Sequence, residues 1–222
     1  MGSSINRSVS ARIVTMDGPL PHRTAASAPA TKPEQIRDTA MKCFAEHGID
    51  KTSLRTIAEA ADVSLGLIQH YFFTKQQLIE SIDRHVLAVF NEALGTSPDA
   101  RPAPVSADEA GGRFADLMHE NPVAMDYVGR ALAEGGEIGK VIFDGFCAIS
   151  ERQGANFRAQ GLVADDVDPV WAAMLPLILR VGTIILRPHV ERHLPGSLYD
   201  RAETSRWDAA ATRMIREGQF KQ

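Results

Sequence analysis

A short segment in the first third of the chain constrains the fold more than any other part. Residues 51–75 read KTSLRTIAEAADVSLGLIQHYFFTK. Apolar residues recur at helical spacing from Leu54 to Ala61, and a second apolar set runs from Val63 through Ile68 to Phe72. This spacing predicts two short helices joined by a tight turn. A helix, a turn and a second helix within about 20 residues are typical of the helix-turn-helix motif.

Helical spacing also dominates the rest of the chain, and no alternating pattern typical of β-strands is present. A first helix is expected from about Pro33 to His47, followed by Gly48 as its end. Asp168 and Pro169 together predict the start of a long apolar helix that ends near Pro188. The sequence therefore predicts an all-α fold of about nine helices.

The domain organisation follows from where these patterns change. Residues 1–30 are predicted to form a disordered leader, residues 31–80 a helix-turn-helix domain, and residues 81–222 a second helical domain. A proline-rich connection occupies residues 95–106. The most apolar run, residues 170–186, contains Pro176 and Arg180 and is short for a bilayer, so no membrane segment is expected. Cys43 and Cys147 are expected to be small buried hydrophobes in a reducing cytoplasm.

The charge balance shows what kind of nucleic-acid contact is possible. The chain has a formal net charge of −4, and residues 31–80 contain six Lys or Arg against seven Asp or Glu. Bulk charge therefore excludes a basic nucleic-acid-binding domain. Any DNA contact must come from one local face of the helix-turn-helix.

The segment FAEHGIDKTSLRTIAEAADVSLGLIQHYFFTKQQLI resembles the amino-terminal domain of the TetR/AcrR-type transcriptional regulators. The resemblance covers about Lys32 to Leu94, which is under a third of the chain. It implies a cytoplasmic homodimer that binds a double-stranded DNA operator through a three-helix domain. It further implies a carboxy-terminal domain that binds a small effector, and it implies no cofactor and no metal.

The resemblance also assigns DNA contacts, position by position, to nine residues: Thr52, Arg55, Leu65, Gly66, Leu67, Gln69, His70, Tyr71 and Lys75. Thr52 and Arg55 would contact phosphate or a nearby base. The residues from Leu65 to His70 in this set would face the major groove, where a Gln can pair with adenine. Tyr71 and Lys75 would hold phosphates. The alternatives are a core role for Tyr71 and plain solvated side chains for His70 and Lys75.

The sequence departs from the family pattern at three positions. Asp62 replaces the usual turn glycine, although Asp tolerates the left-handed conformation better than most residues. Leu65 stands where a polar or basic residue is frequent, and Phe73 stands where Lys is frequent. These departures predict a DNA contact with fewer phosphate-binding charges than is usual for the family.

The second domain contains Met and aromatic residues that as a group could line an effector cavity, although each taken singly is better explained as plain core. The candidates are Phe114, Met118, Met125, Phe143, Phe146, Cys147, Trp171, Met174 and Ile178. Met and aromatic side chains between helices suit an apolar or aromatic ligand. Asn121, Asp126, Asn156 and Arg180 could orient it, and the nearby acids leave a cationic ligand open. Arg180, inside an apolar helix, is expected to be paired or at an interface.

The function that the sequence predicts is a ligand-responsive DNA-binding repressor, released from its operator by a small apolar effector. The alternative is a DNA-binding regulator that a protein partner controls, without a small-molecule pocket. No catalytic constellation supports an enzyme: HVERH at residues 189–193 and GGEIGKV at residues 135–141 both miss the motifs they resemble. The dimer is predicted to form through residues 170–186 and 204–218, where Gly182, Ala209, Ala210 and Ala211 allow close approach.

Overall fold

The computed structural model of the protein describes residues 30–95 and 106–221. The predicted leader, Ala30 excepted, and most of the proline-rich connection lie outside these ranges. The described residues form ten α-helices and one 3₁₀ turn, and they contain no β-strand. The all-α prediction is therefore confirmed, with one helix more than the expected nine.

Four helices form the first part of the described chain: α1 (Lys32–His47), α2 (Leu54–Ala60), α3 (Leu65–Phe72) and α4 (Lys75–Ala93). Ser53, Ser64 and Thr74 precede the last three of these helices. Each hydroxyl accepts a hydrogen bond of 3.1 Å from a backbone N–H in the first turn. These bonds satisfy amides that a helix start leaves unpaired, so three closely spaced polar residues fix where the short helices begin.

The remaining helices are α5 (Ala107–Glu120), α6 (Pro122–Glu134), α7 (Gly136–Ala159), α8 (Pro169–Ile185), α9 (Arg187–Val190) and α10 (Arg201–Gln219). The Asp168 carboxylate caps α8 by accepting hydrogen bonds from two backbone N–H groups, as predicted. The predicted end of α8 near Pro188 is wrong, because the helix stops at Ile185. Pro188 instead lies in the first turn of α9, a position that suits a residue without an N–H.

The helices share one continuous hydrophobic core. Helix α10 packs along α5, and α6 packs on α1, α7 and α8. Helix α6 therefore touches both the helix-turn-helix part and the second domain. Gly129 lets α8 come close to α6, since an added Cβ there would lie 3.2 Å from the side chain of Ile184.

No single helix among the described residues has the length and apolar character that crossing a membrane requires. Residues 169–185 and 187–193 meet that requirement by length and composition only as a pair, and the pair is bent by 67°.

Candidate nucleic-acid interface

Helix α3 has one buried side and one exposed side. Ile68 and Phe72 point into the core, where both are buried. The opposite side carries Gly66, Gln69 and His70, which are exposed. The exposed side chains include an amide and an imidazole, groups that can donate and accept hydrogen bonds. This side of α3 is therefore free to contact an external surface.

Two apolar or aromatic side chains extend this exposed side at its ends. Leu65 is exposed at the start of α3, and Tyr71 is 40% exposed near its end. The Tyr71 ring packs edge-on against His70, with ring centroids 5.2 Å apart. Leu67 is only half-buried and packs against the core. The structure thus leaves Tyr71 accessible, as a phosphate contact would require, and gives Leu67 a mainly internal role.

Two residues with positive φ bound α3. Asp62 in the turn before it and Phe73 after it both have φ of 51°. The expectation that Asp62 adopts the left-handed conformation in place of glycine is confirmed. Phe73 is a large side chain in a backbone conformation that costs free energy outside glycine, and it is highly exposed. These two turns therefore bound α3 as a short helix with one exposed side.

Arg55 is placed as a phosphate contact needs. Its side chain is 83% exposed, and its guanidinium lies 3.3 Å from the Glu59 carboxylate one turn later on α2. An exposed ion pair of this kind contributes little to stability, so the cation can exchange Glu59 for another anion at small cost.

Thr52 does not lie where the predicted DNA contact requires. Its side chain is buried, with 1% of the residue exposed. Its hydroxyl donates a hydrogen bond of 2.7 Å to the Gly48 carbonyl, which closes the loop between α1 and α2. The proposed phosphate or base contact of this side chain is corrected to a structural role in that loop. Ser53, the exposed neighbour, is used as the cap of α2.

Lys75 is the second departure from the predicted contacts. Its ammonium donates hydrogen bonds to the Ile49 carbonyl at 2.5 Å and the Asp50 carbonyl at 3.5 Å. It also lies 5.7 Å from the centre of the Phe44 ring. The charge is therefore committed to the α1–α2 loop. This arrangement does not favour the predicted contact between Lys75 and a phosphate.

Helix α6 also contacts the end of α1 and the loop that follows it. Arg130 donates hydrogen bonds to the Ala45 and Glu46 carbonyls at the end of α1, at 3.4 and 3.3 Å. The Glu134 carboxylate accepts a hydrogen bond of 3.3 Å from the Ile49 N–H. The α1–α2 loop is thus fixed by both α4 and α6. The sequence does not point to Arg130 or Glu134, because their partners lie about 85 residues away in the chain.

A comparison with protein families matches this part of the chain. Residues 36–82 fit the family described as "Bacterial regulatory proteins, tetR family". The match contains α2, the turn, α3 and the start of α4, which are the elements that build the exposed side described above. Over these residues the chain is similar to the TetR family. The match lies within the segment that showed the resemblance in the sequence.

Relatives of the TetR-type domain are found among curated proteins. The "Probable acrEF/envCD operon repressor" of Escherichia coli K12 is 45% identical over 60 residues, which is 27% of this chain. The "HTH-type transcriptional regulator BetI" of Burkholderia thailandensis is 38% identical over 53 residues, or 24% of this chain. The matched segment spans only 27% of the length of each relative. The similarity therefore concerns the TetR-type domain alone.

Solved structures share the fold over most of the chain. SmeT, the repressor of the Stenotrophomonas maltophilia multidrug efflux pump SmeDEF, has a TM-score of 0.62 at 23% identity. The similarity covers 87% of this chain and 92% of SmeT. The TetR-family regulator PfmR from Thermus thermophilus has a TM-score of 0.61 at 19% identity, over 84% and 96% of the two chains. The second domain therefore shares the fold of these solved structures.

The second domain contains two adjoining depressions of about 530 and 390 Å³, and these volumes include space that is open to solvent. We call the larger the α10 depression, because α10 forms one wall with Thr212, Ile215 and Gln219. The smaller is the α4 depression, because Phe90 and Leu94 at the end of α4 form one wall. Ser150, Gln153 and Arg180 line both, which places the two depressions side by side between α7 and α8.

Only part of the predicted effector pocket lies at these depressions. Phe114 and Phe146 line the α4 depression. The other seven predicted residues do not line either depression. Met118 and Met125 are fully buried core residues, and Phe143 and Cys147 are half-buried on α7. These four residues pack within the chain. The predicted contact with a ligand is therefore corrected to a core role for them.

The sequence predicts the wrong side of α8 as the lining of the pocket. Trp171 is 54% exposed, Ile178 is 48% exposed, and Met174 is half-buried beside them. The residues of α8 that face the α4 depression are instead Leu177, Arg180, Val181 and Ile184. An apolar helix shows little contrast between its sides, so its sequence does not reveal which side faces the interior.

Proposed function

We propose that the chain is a transcriptional repressor that binds operator DNA as a homodimer and is released by a small organic effector. The observation that carries the DNA-binding part is the exposed side of α3, with Gln69, His70 and Tyr71 accessible while Ile68 and Phe72 anchor the helix. A recognition helix of this kind lies in the major groove and reads base edges with its outward side chains.

The proposed dimer surface is the outer side of α8 together with α10. Trp171, Leu175 and Ile178 form an exposed apolar stripe, and an added Cβ at Gly182 would meet no atom within 4 Å. Ala209 and Ala210 are exposed on α10, whereas Ala211 is buried within the chain. An exposed apolar stripe on a helix supports a protein–protein seam, and a second copy of the chain supplies a symmetric partner.

The proposed effector response uses the contacts of α6. Ile184 lines the α4 depression and packs closely against Gly129 of α6. Further along α6, Arg130 and Glu134 hold the α1–α2 loop of the TetR-type domain. A ligand that displaces α8 would shift α6 and with it the spacing of the two α3 helices in the dimer. Operator affinity falls only if the ligand binds the displaced state better.

The test is selection of duplexes from a random pool by the purified full chain, followed by footprinting. The expected product is an inverted repeat whose half-sites lie about 34–36 Å apart or a multiple of that distance. Enrichment of no sequence, or of a single asymmetric site, would contradict the proposed mode of binding.

A protein partner in place of a small effector is the second candidate. It is favoured by the complete burial of Met118 and Met125, which leaves less internal space than the sequence suggests. Thermal unfolding with and without small ligands separates the two, because only a ligand-binding domain is stabilised by mass action.

A further inference from the structure

The charged side chains that line the two depressions are all positive. In the described part of the chain, Arg180 is the charged residue of the α4 depression, and Arg158 joins it in the α10 depression. No Asp or Glu lines either depression among the described residues. The rest of the α4 depression is apolar apart from Ser150 and Gln153. A ligand there meets a positive charge at one end of an apolar surface.

The Arg180 guanidinium lacks a direct polar partner within residues 30–95 and 106–221. Its carbon lies 5.3 Å from the centre of the Phe114 ring, which is a cation–π contact. It forms neither a hydrogen bond nor an ion pair with the residues that the structure describes. Burial lowers the pKa of Arg180, while the attraction of Asp208 acts in the opposite direction. An Arg stays protonated at neutral pH, so the site keeps an incompletely compensated cation.

Asp208 does not supply the missing partner. Its carboxylate accepts a hydrogen bond of 2.9 Å from the Thr212 hydroxyl on the same helix. Partial burial raises the pKa of Asp208, while Thr212 and Arg180 act in the opposite direction. A guanidinium can donate five hydrogen bonds in a planar fork that matches a carboxylate. The hydrogen-bond donors of Arg180 are therefore available to a ligand.

We propose that the depressions bind a small organic anion, with a carboxylate against Arg180 and Gln153 and an apolar body against Phe90, Phe146 and Leu177. This inference rests on the proposed ligand-responsive function and specifies the chemical class of the effector. Phe90 and Phe146 are packed with ring centroids 4.5 Å apart, and they offer an apolar wall to that body. The positive lining argues against the cationic ligand that the sequence had left open.

The test compares three probes that share one alkyl chain and differ in the head group: octanoate, octanol and octylammonium. Isothermal titration uses the full chain without DNA. We expect octanoate to bind about tenfold tighter than octanol, because a charge-assisted pair with Arg is stronger than a neutral hydrogen bond. Octylammonium should bind more weakly than both. Equal affinities for octanoate and octanol, or no octanoate binding, would overturn the inference.

Two substitutions test the role of the charges. Arg180→Gln should remove the preference for octanoate over octanol, and Arg180→Lys should retain part of that preference. Asp208→Asn should tighten octanoate binding and leave octanol binding unchanged, because it removes the negative charge that attracts Arg180. Thermal unfolding without ligand checks that each variant folds. A preference that survives in Arg180→Gln, or that does not respond to Asp208→Asn, would overturn the inference.

DNA binding measured on the same preparations separates this inference from the proposed function. Selective octanoate binding by a chain that binds no DNA would contradict the regulator and support the anion site. DNA binding without any preference among the three probes would overturn the anion site alone.

Discussion

Tyr127 on α6 donates a hydrogen bond of 2.6 Å to the Asp83 carboxylate on α4, and both residues are buried. The centre of the Tyr127 ring also lies 6.4 Å from that of Phe44 on α1. This pair joins α1, α4 and α6 at the place where the TetR-type domain meets the second domain. It adds a buried hydrogen bond to the contacts that Arg130 and Glu134 make.

The Asp83 pair predicts a pH-dependent stability. Burial raises the pKa of Asp83 to about 6, against an ordinary value near 4. The folded chain therefore binds more protons than the unfolded chain between these values, so its stability falls as the pH rises from about 4 to 6. A shift of this size corresponds to roughly 3 kcal/mol of unfolding free energy. Urea unfolding at several pH values measures it.

The control for this prediction is the difference between wild type and Asp83→Asn, which keeps an acceptor for Tyr127. We expect that difference to change across the same pH range and to be flat outside it. Asp144→Asn, which removes an exposed carboxylate on α7, should not reproduce the effect. Parallel stability curves for wild type and Asp83→Asn would show that this carboxyl titrates normally.

Arg55 and Lys75 should behave differently when the salt dependence of DNA binding is measured. Arg55→Ala should weaken binding to every sequence and lower the salt slope by about one, as loss of one phosphate contact does. Lys75→Met should leave the slope unchanged. It should instead destabilise the fold by about 1.5–3 kcal/mol, since a charged hydrogen bond to the loop carbonyls is lost. An equal drop in slope for both variants would return Lys75 to the phosphate contacts.

The dimer surface predicts a charge-sensitive position on α8. Ile178→Glu should give a folded monomer, and it should lower operator affinity by roughly two orders of magnitude, as loss of a linked binding module does. Ala210→Glu on α10 should have the same effect. Val141→Glu, at an exposed apolar position on α7, is the matched control and should remain dimeric. Sedimentation that finds dimers of both Ile178→Glu and Ala210→Glu would remove these helices from the interface.

The sequence predicted the local features of this fold well. The helix starts at Pro33 and Asp168 depend on neighbouring residues, and so does the left-handed turn at Asp62. The features that the sequence did not predict are contacts between distant parts of the chain. Lys75 reaches carbonyls about 25 residues away, and Arg130 reaches carbonyls about 85 residues away. No local pattern records such contacts.

The proposed effector site shows the same division between local features and distant contacts. The sequence singled out Arg180 as a charge inside an apolar helix, and the structure places that charge at the two depressions. It could not place Trp171 and Ile178, because the orientation of α8 depends on how α6, α7 and α10 pack around it. The wall formed by α10 was also missed, since the sequence assigns residues 204–218 to the dimer surface alone.

The claim that α3 reads DNA bases is tested most directly by Gln69. The measurement compares wild type and Gln69→Ala on every single-base variant of a duplex that the wild type selects. We predict that Gln69→Ala loses roughly 1–3 kcal/mol of discrimination at one position in each half-site and keeps the wild-type ranking elsewhere. An unchanged ranking at every position would contradict base reading by this exposed side of α3.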